Sequence, residues 1–165
     1  MKHTISVLVE NNSGVLSRIS GLFSRRGFNI DSLAVGPTHD PAVSRITIVA
    51  GGDDHTVEQI EKQLNKLIEV IKVKTYAVDE CHARELMLVK VSASADKRSE
   101  VMTIAEMFKA KIIDVTLTTI TLEICDRYDN ICRFEEVLAP YGIVEMVRTG
   151  TVAIERGSEV FGTNK

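Results

Sequence analysis

Residues 5–33 read "ISVLVENNSGVLSRISGLFSRRGFNIDSL", and the apolar period changes within them from two to 3.6. In "ISVLVE", Ile5, Val7 and Val9 fall on one side and Leu8 on the other, the alternation of a strand. From Val15 onward the apolar positions are Val15, Leu16, Ile19, Leu22 and Phe23, a single stripe at helical spacing. Arg25 and Arg26 suit the C-terminal turn of that helix, and Gly27 can take its left-handed cap. "FNIDSLAV" (28–35) then returns to strand.

Working outward, "GPTHDP" (36–41) is a loop broken by Pro37 and Pro41, and "VSRITIVA" (43–50) is a third strand with Ile46 and Ile48 on one face. "GGDDHT" (51–56) ends it, with Asp54 or Thr56 as the cap of a second helix. That helix carries Val57, Ile60, Leu64, Leu67 and Ile68, and "VIKVKTYAV" (70–78) is a fourth strand. The same order recurs: strand "ELMLVKVSA", helix "DKRSEVMTIAEMFKA", strands "KIIDVTLTT" and "TITLEIC", helix "NICRFEEVLAPYG", and a last strand "IVEMVRTGTVAI". "DECHAR" (79–84) is a charged hinge between the copies. The prediction is an α+β chain of two tandem ferredoxin-like βαββαβ domains, 1–78 and 79–165. Each sheet carries both helices on one face, which leaves its other face to be buried against another sheet, within the chain or between chains. A homodimer is the simplest closed solution.

The turn "ENNSG" (10–14) stands where the first strand gives way to the first helix. Four backbone N–H groups at a helix start have no partner inside the helix, and with the helix dipole they suit an anion such as a carboxylate. Gly14 leaves the backbone approachable, while Asn11 and Asn12 bring both donors and acceptors. An α-amino acid zwitterion needs both. The plainer reading makes Asn12 or Ser13 a helix cap and Gly14 incidental. The equivalent turn of the second copy, "VSASADKRSE", has no glycine and adds charge, which favours a ligand turn kept in the first copy only. Asn29, in "GFNID" (27–31), reads either as a turn residue or, in a sheet-paired dimer, as a group facing the turn of a neighbouring chain.

Composition bounds the function. The 165 residues carry a net charge of −3, with 44% hydrophobic and 26% charged residues, so a basic nucleic-acid-binding face is not expected. An RNA-recognition module of this fold also needs aromatics on its central strands, which here are aliphatic. No apolar run approaches a membrane span, and the N-terminus lacks a signal-peptide pattern. Cys81, Cys125 and Cys132 are odd in number, lack CxxC spacing and read as buried reduced thiols of a cytoplasmic protein. No Ser/His/Asp signature, HExxH or P-loop is present, and Asp53, Asp54 and His55 read as a helix start rather than a metal site, so neither catalytic nor metal-ligating residues are assigned.

"SVLVENNSGVLSRISGLFSRRGFNIDSL", followed by "PTHDPAVSRITI" and "VEQIEKQLNKLIEVIKV" and continuing in "LMLVKV" and "IIDVT", resembles the regulatory small subunit of acetohydroxyacid (acetolactate) synthase. The first copy looks like that family's ACT domain, a small-molecule sensing module. The resemblance implies a non-catalytic chain that holds no cofactor itself. It implies activation of a large catalytic subunit that uses thiamine diphosphate, FAD and Mg²⁺, and feedback inhibition by valine or a related branched-chain amino acid. It places the effector at an ACT–ACT homodimer interface, on Asn11, Ser13, Gly14, Val15 and Leu16 of one chain and Asn29, Ile30 and Val35 of the other. The alternative is a free-standing amino-acid sensor acting on another enzyme or on transcription, although no separate DNA-binding helical region is present.

Overall fold

A computed structural model describes residues 2–77 and 79–162. The first unit is built from β1 (Lys2–Glu10), α1 (Val15–Arg26), β2 (Ile30–Pro37), β3 (Val43–Gly51), α2 (Asp54–Leu64) and β4 (Val70–Tyr76). Its strands are antiparallel in the order β2-β3-β1-β4. The second is built from β5 (Cys81–Ser92), α3 (Arg98–Met107), β6 (Lys111–Val115), β7 (Thr119–Asp126), α4 (Tyr128–Leu138) and β8 (Ile143–Arg148), with the equivalent order β6-β7-β5-β8. These are the two βαββαβ sheets that the periodicity predicts.

Each core follows from the alternation. In the first unit Ile5, Val7 and Val9 of β1 and Ile46 and Ile48 of β3 meet Ile19 and Phe23 of α1 and Ile60 and Leu64 of α2. In the second, Met87, Val89 and Val91 of β5 meet Val101, Ile131 and Phe134. A side chain of this size contributes about 1.5–3 kcal/mol when fully buried. Ile68 departs from the expected helical stripe: α2 ends at Leu64, the chain turns through the Leu67 N–H to Leu64 carbonyl bond, and Ile68 is left 94% exposed. The cap of α2 is Asp53 rather than Asp54 or Thr56. Its carboxylate accepts the Thr56 N–H at 2.8 Å and the Thr56 hydroxyl at 2.7 Å. Of the three thiols only Cys81 is buried; Cys125 is exposed, because it falls on the helix-free side of β7.

The compact units are Met1–His82 together with Thr151–Lys165, and Ala83–Gly150. The expected division into 1–78 and 79–165 therefore differs at the C-terminal end, and Val78, at the expected boundary, lies outside the described residues. The predicted last strand, 143–154, breaks in two. Thr149 N–H closes on the Leu86 carbonyl at 3.0 Å, and Gly150 turns the chain at φ +79°, where a side chain would be strained. The segment that follows joins the first unit. Thr151 N–H donates to Ser32 Oγ at 3.0 Å, Glu155 at the end of β9 (Val152–Glu155) pairs with Lys74, and Phe161 packs with Leu8, Val43 and Ile71.

That segment covers much of the face of the first sheet that lacks helices. Ser6, Leu8 and Tyr76, all on that face, are 0%, 2% and 4% exposed within a single chain. The burial that the sequence requires is thus met there inside the chain. The corresponding face of the second sheet presents half-buried Leu86 and Leu88 and exposed Val147, beside the ion pairs Lys90–Glu145 and Lys111–Glu123.

Candidate functional site

The turn between β1 and α1 is held from behind. Asn11 N–H donates to the Ala42 carbonyl at 2.8 Å, and its side-chain amide donates to the Pro41 carbonyl, also at 2.8 Å. The 38–42 loop is itself braced, with Ala42 N–H on Asp40 Oδ1 at 2.9 Å and Thr38 N–H on the Val43 carbonyl at 2.8 Å. The sequence reading of 36–41 as a loop did not include its role as a brace for the turn. Its signal was the "DPA" triplet, in which an Asp can accept from the backbone two residues on.

Gly14 is the N-cap of α1 at φ +87°, and no side chain caps the helix. The reading of Asn12 or Ser13 as the cap is therefore corrected: the Asn12 amide instead reaches back to the Glu10 carboxylate at 2.9 Å. Val15 N–H makes a long 3.5 Å bond to the Asn12 carbonyl. Among the described residues the N–H groups of Gly14 and Leu16 have no acceptor. A Cβ built on Gly14 meets nothing within 4 Å, so the turn opens onto free space. Ser13 is exposed, Leu16 is 39% exposed beside the turn, and Val15 is 4% exposed in the core, so Val15 can offer a ligand only its backbone.

The start of α1 also stands apart electrostatically. Among the described residues it is the one α-helix with no acid in its first turn; α2 has Asp54, α3 Glu100 and α4 Asp129. At the matching turn of the second unit Asp96 and Glu100 are held below the usual carboxylate range, Asp96 chiefly by the Ser94 hydroxyl and Glu100 chiefly by the Tyr141 hydroxyl. That helix start already faces carboxylates of its own, whereas the start of α1 has its dipole unmet.

Asn29 and Ile30 lie elsewhere in the protomer. β2 runs parallel to β1, so Ile30 stands at the far end of the sheet from the turn, on the order of 20 Å from Pro37 at about 3.4 Å per residue. Asn29 is exposed there, its amide donating to Asp31 Oδ1 at 2.8 Å. Val35, grouped with them by resemblance, pairs with Ile46, which pairs with Val7; it is 52% exposed and nearer its own turn than Ile30 is. One chain therefore brings together Asn11 to Leu16, with Val35 at the same end, but not Asn29 and Ile30. No three His, Cys, Asp or Glu side chains converge to hold a metal among the described residues, and no described helix is long and apolar enough to cross a membrane.

A four-stranded βαββαβ sheet with both helices on one face places the first unit in the ACT class of folds. Residues 5–72 match the AHAS small subunit-like ACT domain, and residues 84–157 match the small subunit of acetolactate synthase. The chain is 49% identical over 159 residues to a probable acetolactate synthase small subunit of Archaeoglobus fulgidus, covering 96% of this chain and 99% of that one. It is 47% identical to the acetolactate synthase small subunit of Mycolicibacterium smegmatis, covering 99% and 96%. The crystal structure of the small subunit from Thermotoga maritima superposes with a TM-score of 0.88 at 40% identity, covering 96% of this chain and 99% of that chain. The chain belongs to the acetolactate synthase small-subunit family, a regulatory subunit with an N-terminal ACT domain.

Proposed function

We propose that this chain binds and activates a catalytic large subunit in the cytoplasm and makes it subject to feedback inhibition by valine or a related branched-chain amino acid. Thiamine diphosphate, FAD and Mg²⁺ belong to that partner; the part played here is binding and coupling. The observation that carries the reading is the unmet start of α1, with the Gly14 and Leu16 N–H groups lacking an acceptor among the described residues and no acid of its own in the first turn. An amino acid's carboxylate fits those donors, and exposed Leu16 and Val35 offer apolar contact for a branched side chain.

The acceptor for the ligand's ammonium group and the second wall come from a neighbouring chain. β2 is an edge strand, and two copies pairing through β2 about a two-fold axis run antiparallel. That arrangement sets the N-terminal end of one β2 against the C-terminal end of the other. Asn29 and Ile30 of the partner subunit then approach the turn from across the seam, which no single chain achieves. An effector bridging two chains inhibits only if it favours one arrangement of them over another, and a coupling of about 1–3 kcal/mol, or 5–150-fold, suffices.

Titration calorimetry with valine, leucine and isoleucine, with and without the catalytic subunit, tests the reading. Saturable binding to the chain alone, linked to loss of holoenzyme activity, supports it. Absence of binding to any of the three in both settings refutes it.

A further inference from the structure

A second site lies on the opposite face of the first sheet. Between Leu8 and Val43 on the sheet and Ile154, Val160 and Phe161 on the C-terminal segment there is a cavity of about 340 Å³. Arg45 lines it. Its Nη2 donates to Ser6 Oγ at 3.1 Å and to Tyr76 OH at 3.0 Å, and its guanidinium stands 5.2 Å from the centre of the Phe161 ring. Its Nε is buried with no acceptor, and among the described residues no carboxylate pairs with it. Lys72 and Lys74 stand on the same face, Lys72 over the Phe161 ring at 5.3 Å and Lys74 tied to Glu155. The face thus carries three cations, of which Lys74 is committed to Glu155.

A half-buried guanidinium whose Nε is shielded from water, fixed by two neutral hydroxyls and an aromatic ring, carries a desolvation cost that an anionic acceptor relieves. Leu8, Val43, Ile154, Val160 and Phe161 give the cavity an apolar wall, and the volume sits at the low end of ligand pockets, which run from about 300 to 1,000 Å³. Asp40, Glu155 and Glu159 also border the cavity and disfavour a doubly charged group such as phosphate. We propose that Arg45 anchors a small monocarboxylate whose aliphatic or aromatic body lies against Leu8, Val43, Val160 and Phe161. This site is independent of the amino-acid reading of the α1 turn.

The test follows the Gly157 and Gly162 amides of the ¹⁵N-labelled full chain while hexanoate, benzoate or inorganic phosphate is added. Hexanoate or benzoate is expected to shift both amides saturably. The apparent affinity should fall at least tenfold in Arg45→Met. It should fall similarly in Val160→Trp, which fills the cavity from a position 78% exposed and leaves the Arg45 hydrogen bonds in place. Gly14→Asp should respond like the natural chain. Should Arg45→Met fail to fold, Val160→Trp decides alone. No saturable shift with either acid, a response unchanged in the folded variants, or phosphate acting with equal affinity overturns the proposal.

Discussion

The side-chain amide of Asn11 donates to the Pro41 carbonyl at 2.8 Å, tying the turn before α1 to the loop between β2 and β3. Asn11 is thereby a scaffold for the open amides of Gly14 and Leu16 as well as a neighbour of them. Asn11→Asp removes the donor and adds a negative charge beside a site proposed for a carboxylate. Valine affinity should fall at least tenfold by calorimetry. Asn11→Ala, which only frees the loop, should show a smaller loss, and equal losses would mean that charge plays no part.

Gly14→Asp separates ligand binding from activation. Gly14 sits at φ +87°, and a side chain there projects into open space in front of the turn. The left-handed backbone costs about 1–2 kcal/mol for a non-glycine residue, so some loss of stability accompanies any substitution. Gly14→Ala bears that strain without charge and controls for it. Gly14→Asp should abolish valine inhibition while leaving activation of the large subunit near its normal level. Inhibition retained in Gly14→Asp would remove the turn as the effector site.

The strand and helix order was legible in the sequence because each apolar stripe has one period and one face, as Ile5, Val7 and Val9 show against Ile19 and Phe23. The fate of residues 151–162 was not. In the strand pattern running from Ile143 to Ile154 the mark of the reversal is Gly150 alone, which fits a bulge as well as a turn, and the return of Phe161 to Leu8 and Val43 depends on contacts far apart in the chain. Within the candidate site the lack of an acid in the first turn of α1 was readable as a local property, but the lack of a capping side chain was not, because "NNS" offers three residues able to cap and the helix uses none of them. That Val15 is a core residue and Asn11 a brace depended on tertiary packing, and no local pattern marks either.

In the proposed function, pairing through β2 makes the effector site a shared one. Val35 is 52% exposed toward the C-terminal end of that edge strand. Val35→Lys places a charge on the edge, a device that blocks edge-to-edge pairing. Light scattering should show a shift from dimer to monomer, accompanied by loss of valine binding. Asn29→His should weaken valine binding by replacing a small amide in the same seam while leaving the dimer intact. A Val35→Lys chain that stays dimeric with full valine affinity would rule out β2 as the seam.

The C-terminal segment belongs to the stability of the first unit. Phe161 is 7% exposed against Leu8, Val43 and the Tyr76 ring, whose centre is 6.4 Å away. Phe161→Ala should cost about 3 kcal/mol, the low end for a buried phenylalanine since the cluster is small. Ending the chain at residue 150 should expose Leu8 and Val43 and promote aggregation. Denaturant unfolding of both variants measures this, and a truncated chain as stable and soluble as the full one would show that the segment does not support the sheet.

The cap of α2 gives a prediction in pH. Hydrogen bonds from the Thr56 hydroxyl and N–H hold the Asp53 carboxyl below its ordinary value of 3.8. A carboxyl depressed in the folded state binds protons more readily in the unfolded chain. Its stabilising effect is therefore complete above the ordinary value and is lost as pH falls through the lower, folded one. Asp53→Ala should melt at a lower temperature than the natural chain at pH 7, and the gap should shrink as the pH drops below 3.8. Asp53→Asn keeps an acceptor at the cap and should melt between the two at pH 7, with a gap to the natural chain that also narrows in acid. Thermal unfolding followed by circular dichroism across that range supplies the comparison. A gap to Asp53→Ala that stays constant down to the lowest pH would mean that the ionised carboxylate is not what holds the helix start.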